Sequence, residues 1–313
     1  MDYSAIETIC RESGSPFERG AVVAPYTSMK IGGKCDLFCE PSGEEALSAV
    51  ICACRSGGVP YFILGRGSNV LFSGNGFRGC VIHIGKRLGG ISCDGNIITA
   101  GAGESLSAVC LAAQERGLGG MEFAYGIPGS VGGALYMNAG AYGGEMKDIV
   151  LSCRCIRSDG SIAQIPAEDM KLRYRGSIFS EGGYVILSVS FALREGDRDA
   201  IKARMDELMN RRRDKQPLEY PSCGSTFKRP EGYFAAALIE ECGLKGCTVG
   251  GAQVSEKHSG FVINKGGATF EDVTELVEHI KKTVMEQKGV KLECEMLVVP
   301  ETAERAEQTG ASE

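Results

Sequence analysis

The chain has 313 residues, of which 43% are hydrophobic and 24% are charged, and its formal net charge is −6. This composition is typical of a globular protein and excludes a largely disordered chain, and the length predicts two or three domains. The acidic balance argues against a nucleic-acid partner, because phosphate backbones are bound by a basic surplus or a basic stripe.

The chain begins Met1-Asp2-Tyr3-Ser4, without the basic flank and the apolar run of a targeting segment. Residues 131–141 are rich in small apolar side chains, but glycines interrupt them and the segment is too short to span a bilayer. We therefore expect a cytoplasmic protein with no membrane partner. In such a compartment the 14 cysteines predict small core residues rather than a disulfide framework, and their spacing to the histidines indicates no metal site.

Taken in chain order, the apolar patterns predict mixed layers of helix and strand up to about residue 194. The segment 44–55 is predicted as a helix because its apolar residues recur at helical spacing, and Gly57-Gly58 follows its end. Strands are predicted over 61–64, 80–84, 97–100, 149–156, 161–165 and 184–191, and a further helix over 104–116.

Composition changes near Arg194, where a highly charged helix over 195–214 begins, and we place a domain boundary at its start. Near its end, Arg211-Arg212-Arg213 with Lys215 carry enough charge to bind a small phosphorylated ligand, although a solvated helix end would show the same pattern. Helices at 233–242 and 270–288 and strands at 260–264 and 292–299 follow, before a polar tail. This order of elements indicates α+β or α/β layers.

Many of the 44 glycines lie between residues 57 and 144. Neither a P-loop nor a G-x-G-x-x-G after a strand occurs, so a dinucleotide would need another scaffold. The run GRGSN at 65–69 follows a predicted strand and can form an anion-binding nest, although many strand ends carry such turns. Residues 122–144 are richer still in small side chains. Tight helix packing or close approach to a flat ring or a pyrophosphate would account for them, since a glycine destabilises a helix by about 1 kcal/mol.

The segment 124–143 resembles the flavin-binding signature of the UDP-N-acetylenolpyruvoylglucosamine reductase family. It has the sequence AYGIPGSVGG over 124–133 and MNAGAYG over 137–143. TSMKIGG at 27–33 and LGRGSN at 64–69 are similar to the two earlier flavin motifs of that family. The similarity runs in order from about Arg19 to Pro300, which covers most of the chain.

The resemblance implies an FAD-binding domain of the vanillyl-alcohol-oxidase (PCMH) type over residues 1–195, in two subdomains that meet near 75–80. It implies a C-terminal α+β substrate-binding domain over 196–300 and a polar tail over 301–313. The implied activity is reduction of a nucleotide sugar to UDP-N-acetylmuramate for peptidoglycan synthesis, with non-covalent FAD and with NADPH as reductant. These small molecules are the implied partners, and we expect a monomer or weak oligomer, of the subtype without a substrate-covering tyrosine loop.

The matched motifs also imply which residues contact ligands. The implied FAD-binding residues are Thr27, Lys30, Gly32, Gly33, Leu64, Gly65, Arg66, Gly67, Ser68, Asn69, Gly126, Ile127, Pro128, Gly129, Ser130, Gly132, Gly133, Asn138, Ala139, Gly140, Ala141, Tyr142 and Gly143. The implied substrate-binding residues are Tyr174, Lys215, Lys228, Arg229, Gln253, His258 and Asn264. Cations among them would suit a uridine pyrophosphate.

Three residues match the catalytic positions of the family. Arg175 would stabilise the charge that develops on the substrate carboxylate, although Arg173 would share its face in an extended segment and spacing does not decide between them. Ser225 would donate a proton to the α-carbon, and Glu295 would be the third catalytic residue.

Competing interpretations remain at each of these positions. Ser222 and Thr226 are rival hydroxyls, and without the family Glu293 and Glu295 would be taken for a solvated strand face. Another FAD oxidoreductase on the same scaffold, such as a sugar or hydroxy-acid oxidase, would share the flavin motifs and differ after Arg194. A non-catalytic binding protein that has kept the fold is the alternative from another class.

Overall fold

The computed structural model describes residues 1–302, and the remainder of the expected polar tail, residues 303–313, lies outside the described residues. The helices are α1 (Ser4–Glu12), α2 (Glu44–Ser56), α3 (Leu106–Glu115), α4 (Val131–Tyr136), α5 (Arg198–Lys215), α6 (Ala235–Glu241) and α7 (Phe270–Lys288). The strands are β1 (Phe17–Arg19), β2 (Cys35–Cys39), β3 (Tyr61–Leu64), β4 (Val70–Phe72), β5 (Phe77–His83), β6 (Ile91–Asp94), β7 (Ile97–Gly101), β8 (Leu118–Gly119), β9 (Gly140–Ala141), β10 (Gly144–Glu145), β11 (Val150–Arg157), β12 (Ile162–Pro166), β13 (Tyr184–Ala192), β14 (Arg194–Glu195), β15 (Thr248–Val249), β16 (Ala252–Val254), β17 (Val262–Asn264) and β18 (Leu297–Val299).

The first subdomain is built on a four-stranded sheet in the order β1-β2-β5-β3. Strands β2, β5 and β3 run parallel, and β1 pairs antiparallel with β2. Parallel strands need a crossover connection, which α2 supplies between β2 and β3. Its apolar face, with Leu47, Val50 and Ile51, is fully buried in the core.

The second subdomain is an antiparallel five-stranded sheet in the order β12-β11-β13-β7-β6. Helices α3 and α4 contribute Val109 and Leu135 to the same core as Val189 of the central strand β13. The two sheets divide between His83 and Ile91 rather than near 75–80. The reason is that residues 77–83 form β5, an inner strand of the first sheet, and do not form a link between sheets.

Helix α5 packs on the second subdomain. Its charged sequence has helical period, and its buried Ile201 and Met205 belong to the core that α3 and α4 share. The start of this helix, where a domain boundary is expected, therefore lies between two segments that share one core.

The C-terminal domain is built around a second core, which a few N-terminal residues such as Met29 and Leu71 join. Strands β15, β16 and β17 form a small antiparallel sheet, which α7 contacts directly. Helix α7 begins with a capping box between Thr269 and Asp272 and ends at Gly289, which has a φ of +68°. Its buried face, including Leu276 and Ile280, packs with Val262 of β17.

The final strand returns to the beginning of the molecule. Only Leu297–Val299 is a strand, and it pairs in parallel with β4. The predicted strand over 292–299 is wrong for its first half, because Cys294 forms only an isolated bridge, to Phe227. Val299 shares a small core with Phe72, so the last described segment packs against the N-terminal subdomain.

Two further expectations concern the whole chain. No helix among residues 1–302 combines the length and the apolar character that crossing a membrane requires. All 14 cysteines lie within the described residues as free thiols, and most of them are buried. This confirms that they serve mainly as small core residues.

Candidate active site

Two turns lie side by side beyond the carboxyl end of β3. A Cβ atom added at Gly65 would lie 2.6 Å from Oγ of Ser130, so only glycine allows the turns to approach this closely. Arg66 links the same two turns, because its Nε donates to the carbonyl oxygen of Pro128 at 3.3 Å. The second and third flavin motifs of the sequence therefore form one structure, which we call the glycine cradle (residues 65–69 and 128–130).

The glycine cradle exposes a set of backbone donors. Within residues 1–302, the N–H groups of Arg66, Gly67 and Ser68 and those of Gly129 and Ser130 donate to no protein acceptor. Gly67 has a φ of +61°, the left-handed backbone that an anion-binding nest contains. Such a nest binds anions, and its donor set fits a pyrophosphate such as that of FAD.

The first motif, residues 27–33, packs against the glycine cradle. Thr27 is buried, and its hydroxyl donates to two backbone carbonyls of its own turn. Ser28 donates its backbone N–H to the carbonyl oxygen of Gly67 at 2.9 Å. A Cβ atom at Gly33 would lie 2.2 Å from the carbonyl oxygen of Gly74. This motif therefore positions the cradle through main-chain packing.

The third motif uses its glycines in two different ways. A Cβ atom at Gly132 would lie 3.0 Å from Cβ of Ala102, which is the tight helix packing considered for this segment. A Cβ atom at Gly129 would find nothing closer than 3.9 Å, and one at Gly143 nothing within 4 Å. These two positions leave room beside the main chain, as close approach of a ligand would require.

Asn138 of the third motif is a structural residue. It is 1% exposed and has a left-handed backbone with a φ of +42°. Its amide nitrogen donates to the carbonyl oxygen of Arg173 at 3.1 Å and to Glu145 at 2.9 Å, and its amide oxygen accepts from the N–H of Lys147 at 2.9 Å. The side chain is thus occupied in holding the loop that carries Arg175.

Arg175 lies at the tip of a tight turn. Arg173 and Gly176 exchange two backbone hydrogen bonds of 3.0 and 3.1 Å, and Arg175 has a φ of +53°. The expectation that Arg173 and Arg175 share one face of an extended segment is wrong, because the turn directs them apart. Arg173 forms an ion pair with Glu181 at 3.0 Å, whereas Arg175 pairs with Glu295.

The Arg175–Glu295 pair is nearly buried. Its Nε to Oε1 distance is 2.5 Å, and the two side chains are 19% and 13% exposed. Burial raises the pKa of Glu295, while the charges of Arg175 and Lys228 oppose the rise. A solvated strand face is therefore the wrong interpretation of Glu295, although it describes Glu293, which is 64% exposed and pairs with Lys228.

Ser225 lies next to this pair through backbone pairing. The N–H of Glu295 donates to the carbonyl oxygen of Thr226 at 2.9 Å, so Ser225 is one residue from the partner of Glu295. The rival hydroxyl of Thr226 is buried and accepts from the N–H of Val262 at 3.0 Å. Ser225 is half-buried, and no group within residues 1–302 forms a hydrogen bond with its hydroxyl.

Hydrogen bonds join this cluster to the glycine cradle. Asn69 donates its side-chain amide to the carbonyl oxygen of Glu295 at 3.0 Å and accepts at its own carbonyl from the N–H of Leu297 at 3.0 Å. Ser28 donates its hydroxyl to the carbonyl oxygen of Ser222 at 2.6 Å. The segments that carry Glu295 and Ser222 are therefore hydrogen-bonded to the glycine cradle and to the first motif.

The predicted substrate-binding residues divide into exposed and internal groups. Lys215, Arg229 and Tyr174 are exposed, and the Tyr174 hydroxyl accepts from the N–H of Arg229 at 3.1 Å. Asn264 is 8% exposed, and its amide bonds to three backbone groups. The Gln253 amide oxygen likewise accepts from a lysine side chain, Lys265, so both amides serve the protein itself.

His258 also has a structural environment. Its Nδ1 accepts from the N–H of Gly260 at 3.1 Å, and its ring packs edge-on against Phe261. Burial lowers the pKa of His258, which favours the neutral ring, and the charge of Lys215 acts in the same direction. These contacts agree with a structural or ligand-contact role for His258 rather than that of a catalytic base.

Arg212 is a buried cation that the arginine run at 211–213 does not single out. It is 7% exposed, although a run of three arginines at a helix end suggests a solvated position. The signal was present in the helical spacing, because Arg212 follows Met205 and Leu208 on the buried stripe of α5.

The chain is similar in sequence to proteins of known activity. Residues 216–299 match the family described as UDP-N-acetylenolpyruvoylglucosamine reductase, C-terminal domain, and residues 35–165 match the family described as FAD binding domain. The chain is 53% identical over 279 residues to a UDP-N-acetylenolpyruvoylglucosamine reductase of Clostridium novyi, a match that covers 89% of this chain and 91% of that protein. It is 50% identical to the reductase of the same name from Clostridium perfringens, covering 88% of this chain and 91% of that protein.

The fold is similar to that of a solved structure with the same activity in its name. The crystal structure of UDP-N-acetylenolpyruvylglucosamine reductase from Thermus caldophilus superposes with a TM-score of 0.79 at 33% sequence identity. The match covers 91% of this chain and 100% of that one. It confirms the α+β fold with a flavin-binding part and a C-terminal domain.

Proposed function

Because this chain belongs to the UDP-N-acetylenolpyruvoylglucosamine reductase family of FAD-dependent oxidoreductases, we propose that it converts UDP-N-acetylenolpyruvoylglucosamine to UDP-N-acetylmuramate for peptidoglycan synthesis. NADPH is the reductant, and bound FAD supplies hydride transfer between NADPH and the β-carbon of the enolpyruvyl group. Since both substrates are phosphorylated nucleotides, we place the reaction in the cytoplasm. The observation that carries the proposal is the nearly buried Arg175–Glu295 pair, joined to the glycine cradle through Asn69.

The glycine cradle holds the pyrophosphate of FAD in this proposal. Its unpaired N–H groups belong to the main chain, so they can stabilise negative charge without any side-chain rearrangement. The open faces of Gly129 and Gly143 would leave space for a bound ligand such as the flavin. The other matched positions, such as Thr27 and Asn138, keep this main chain in place.

Arg175 binds and polarises the substrate carboxylate. Hydride addition at the β-carbon moves negative charge toward the α-carbon and the carboxylate, and a fixed cation in a nearly dry site stabilises that charge. The hydrogen bond from Asn138 to the Arg173 carbonyl holds the turn that carries Arg175, and the pair with Glu295 holds its guanidinium. The guanidinium therefore needs no reorganisation when the charge develops.

Glu295 changes protonation as the substrate binds. Burial already raises its pKa, and a substrate carboxylate next to Arg175 adds negative charge that raises it further. A protonated Glu295 no longer neutralises Arg175 and donates a hydrogen bond of its own. The pair then acts jointly on the enolate-like intermediate.

Ser225 donates the proton that completes the reduction. Its hydroxyl has no protein partner within residues 1–302, so it is available to a substrate atom. A serine is a weak acid, but the carbon of an enolate is a strong base, and a placed acid contributes about 10²–10⁴-fold in rate. Lys215, Lys228 and Arg229 supply the cations for the uridine pyrophosphate.

The assay that tests this function uses purified protein with FAD and NADPH, with and without the enolpyruvyl nucleotide sugar. We expect NADPH absorbance to be lost only when that sugar is present, with one UDP-N-acetylmuramate formed for each NADPH. Oxygen consumption with sugars or hydroxy acids, in the absence of NADPH, would instead show an oxidase. A protein that takes up no FAD would favour a non-catalytic relative.

A further inference from the structure

Arg212 is a buried cation near the end of α5 that no acid neutralises. It is 7% exposed, and its terminal nitrogen Nη1 donates to the side chain of Gln216 at 3.1 Å. Its Nε is buried and has no hydrogen-bond partner within residues 1–302, and no carboxylate of those residues forms an ion pair with it. An unpaired charge in such surroundings is costly, and burial accordingly lowers the pKa of Arg212.

The unpaired nitrogen faces the third flavin motif. A Cβ atom at Gly126 would lie 3.4 Å from Nε of Arg212, and Gly126 has a φ of +85°. The guanidinium carbon lies 5.7 Å from the centre of the Tyr142 ring, at the other end of the motif. The neighbouring Arg211 also lies against Tyr142, but it is half exposed and pairs with Glu207. Arg212 alone presents an unpaired buried donor to this segment among the residues described.

We propose that Arg212 is a ligand of FAD, and that its Nε–H donates to a negatively polarised acceptor of the bound cofactor. The acceptor is an oxygen of the pyrophosphate or the N1–C2 carbonyl edge of the flavin ring, both of which a guanidinium recognises. A charge-assisted hydrogen bond to either one offsets the cost of burying the cation. This inference deepens the proposed function and rests on FAD binding by the chain.

The test compares Arg212→Met with Arg213→Met. The first variant replaces the buried guanidinium with an apolar side chain, and the second makes the same change at an exposed neighbour on the same helix. FAD is titrated into apo-protein and binding is followed by flavin fluorescence. We expect FAD to bind about 10- to 100-fold more weakly to Arg212→Met, and within about twofold of wild type to Arg213→Met.

The melting temperature of the apo-protein separates a ligand role from a structural one. Removing an unpaired buried charge should leave the apo-protein as stable as wild type or more stable, because a desolvation cost is removed. A structural arginine would show the opposite sign. If Arg212→Met gives no folded apo-protein, Arg212→Lys keeps the charge without the Nε–H, and FAD should bind to it more weakly than to wild type.

Two further measurements identify the acceptor. If Arg212 contacts the ring edge, the reduction potential of FAD bound to Arg212→Met falls, because a cation stabilises the more negative reduced ring. If it contacts the pyrophosphate, the potential is unchanged and the variant binds riboflavin as tightly as wild type does. Wild-type FAD affinity and potential in Arg212→Met would overturn the inference. A wild-type protein that takes up no FAD would instead overturn the proposed function.

Discussion

At the scale of single residues, the hydroxyl of Ser225 offers the sharpest test of mechanism. We expect Ser225→Ala to leave the reduction of FAD by NADPH within about twofold of wild type, since the role proposed for Ser225 lies in the sugar half-reaction. Reduction of the enolpyruvyl sugar should fall by about 10²–10⁴-fold, the contribution of a placed proton donor. Stopped-flow measurement of each half-reaction checks both outcomes.

Ser222 provides the matched control, because it is the rival hydroxyl of the same loop. Ser222→Ala should reduce the sugar at a rate close to that of wild type. If Ser225→Ala still completes both half-reactions, or if Ser222→Ala blocks the second one, the proton donor has been assigned to the wrong serine.

Glu295 makes the stability of the protein depend on pH. Burial gives it a higher pKa in the folded chain than in the unfolded chain. The stability that such a carboxyl contributes is fully present below its unfolded pKa and is lost as pH rises through its folded pKa. We expect the unfolding free energy of wild type, relative to Glu295→Gln, to decrease as the pH rises from about 4, the usual pKa range of a glutamate, through the raised pKa of Glu295.

Urea denaturation of both proteins across that range measures the difference directly, because all other carboxyl groups titrate in both. A relative stability that increases with pH would mean that the attraction of Arg175 outweighs burial. The pKa of Glu295 would then be lowered, and the proposed protonation of Glu295 on substrate binding would lose its basis.

The candidate catalytic residues could be named from motifs, but their partners could not be predicted from the chain. Arg175 and Glu295 are 120 residues apart in sequence, and only the return of the last strand to β4 brings them together. Local pattern predicted solvated positions for Glu295 and Arg212 because neighbouring charges are usually exposed. Whether a charged side chain is buried depends on which other segments pack over it. The spacing of residues along the sequence does not contain that information.

At the scale of elements, Asn138 fixes the loop that carries Arg175. We expect Asn138→Ala to lower the unfolding free energy by about 2–4 kcal/mol, because it removes buried hydrogen bonds and strains a left-handed backbone. The sugar half-reaction should slow as well, since Arg173 loses its anchor and the turn becomes mobile. Urea denaturation and half-reaction kinetics measure the two effects.

Asn138→Gly separates the two causes, because glycine accepts a φ of +42° without strain. This variant should recover part of the stability lost in Asn138→Ala and none of the rate. Equal rates in wild type and both variants would show that Arg175 does not depend on this anchor.

Elements with a long local signal could be predicted, and those defined by distant pairing could not. The predicted bounds of α7 and β3 agree with the structure at both ends, because α7 has apolar residues at helical spacing and β3 is a continuous apolar run that ends at a glycine. Helix α5 was also predicted, but its period does not reveal which domain it packs on. We propose on its contacts that the first domain extends through Lys215 and that the substrate-binding domain follows.

At the scale of the whole molecule, the two ends of the chain form one structure. Strand β18 pairs with β4. This pairing places Glu295, just before β18, within hydrogen-bonding distance of Asn69, just before β4. The C-terminal core also includes Met29 and Leu71 from the N-terminal part. The active site therefore depends on a junction between segments that are more than 200 residues apart.

Two adjacent valines of β18 test this dependence. Val299 is 3% exposed and packs with Phe72, whereas Val298 is 41% exposed. We expect Val299→Ala to lower the unfolding free energy by about 1–3 kcal/mol and to slow sugar reduction, because loss of buried methyl groups loosens the strand that positions Glu295. Val298→Ala makes the same change in the same strand and should stay within about 0.5 kcal/mol of wild type. If Val299→Ala and Val298→Ala had equal effects on urea denaturation and on turnover, backbone pairing alone would hold β18 against β4.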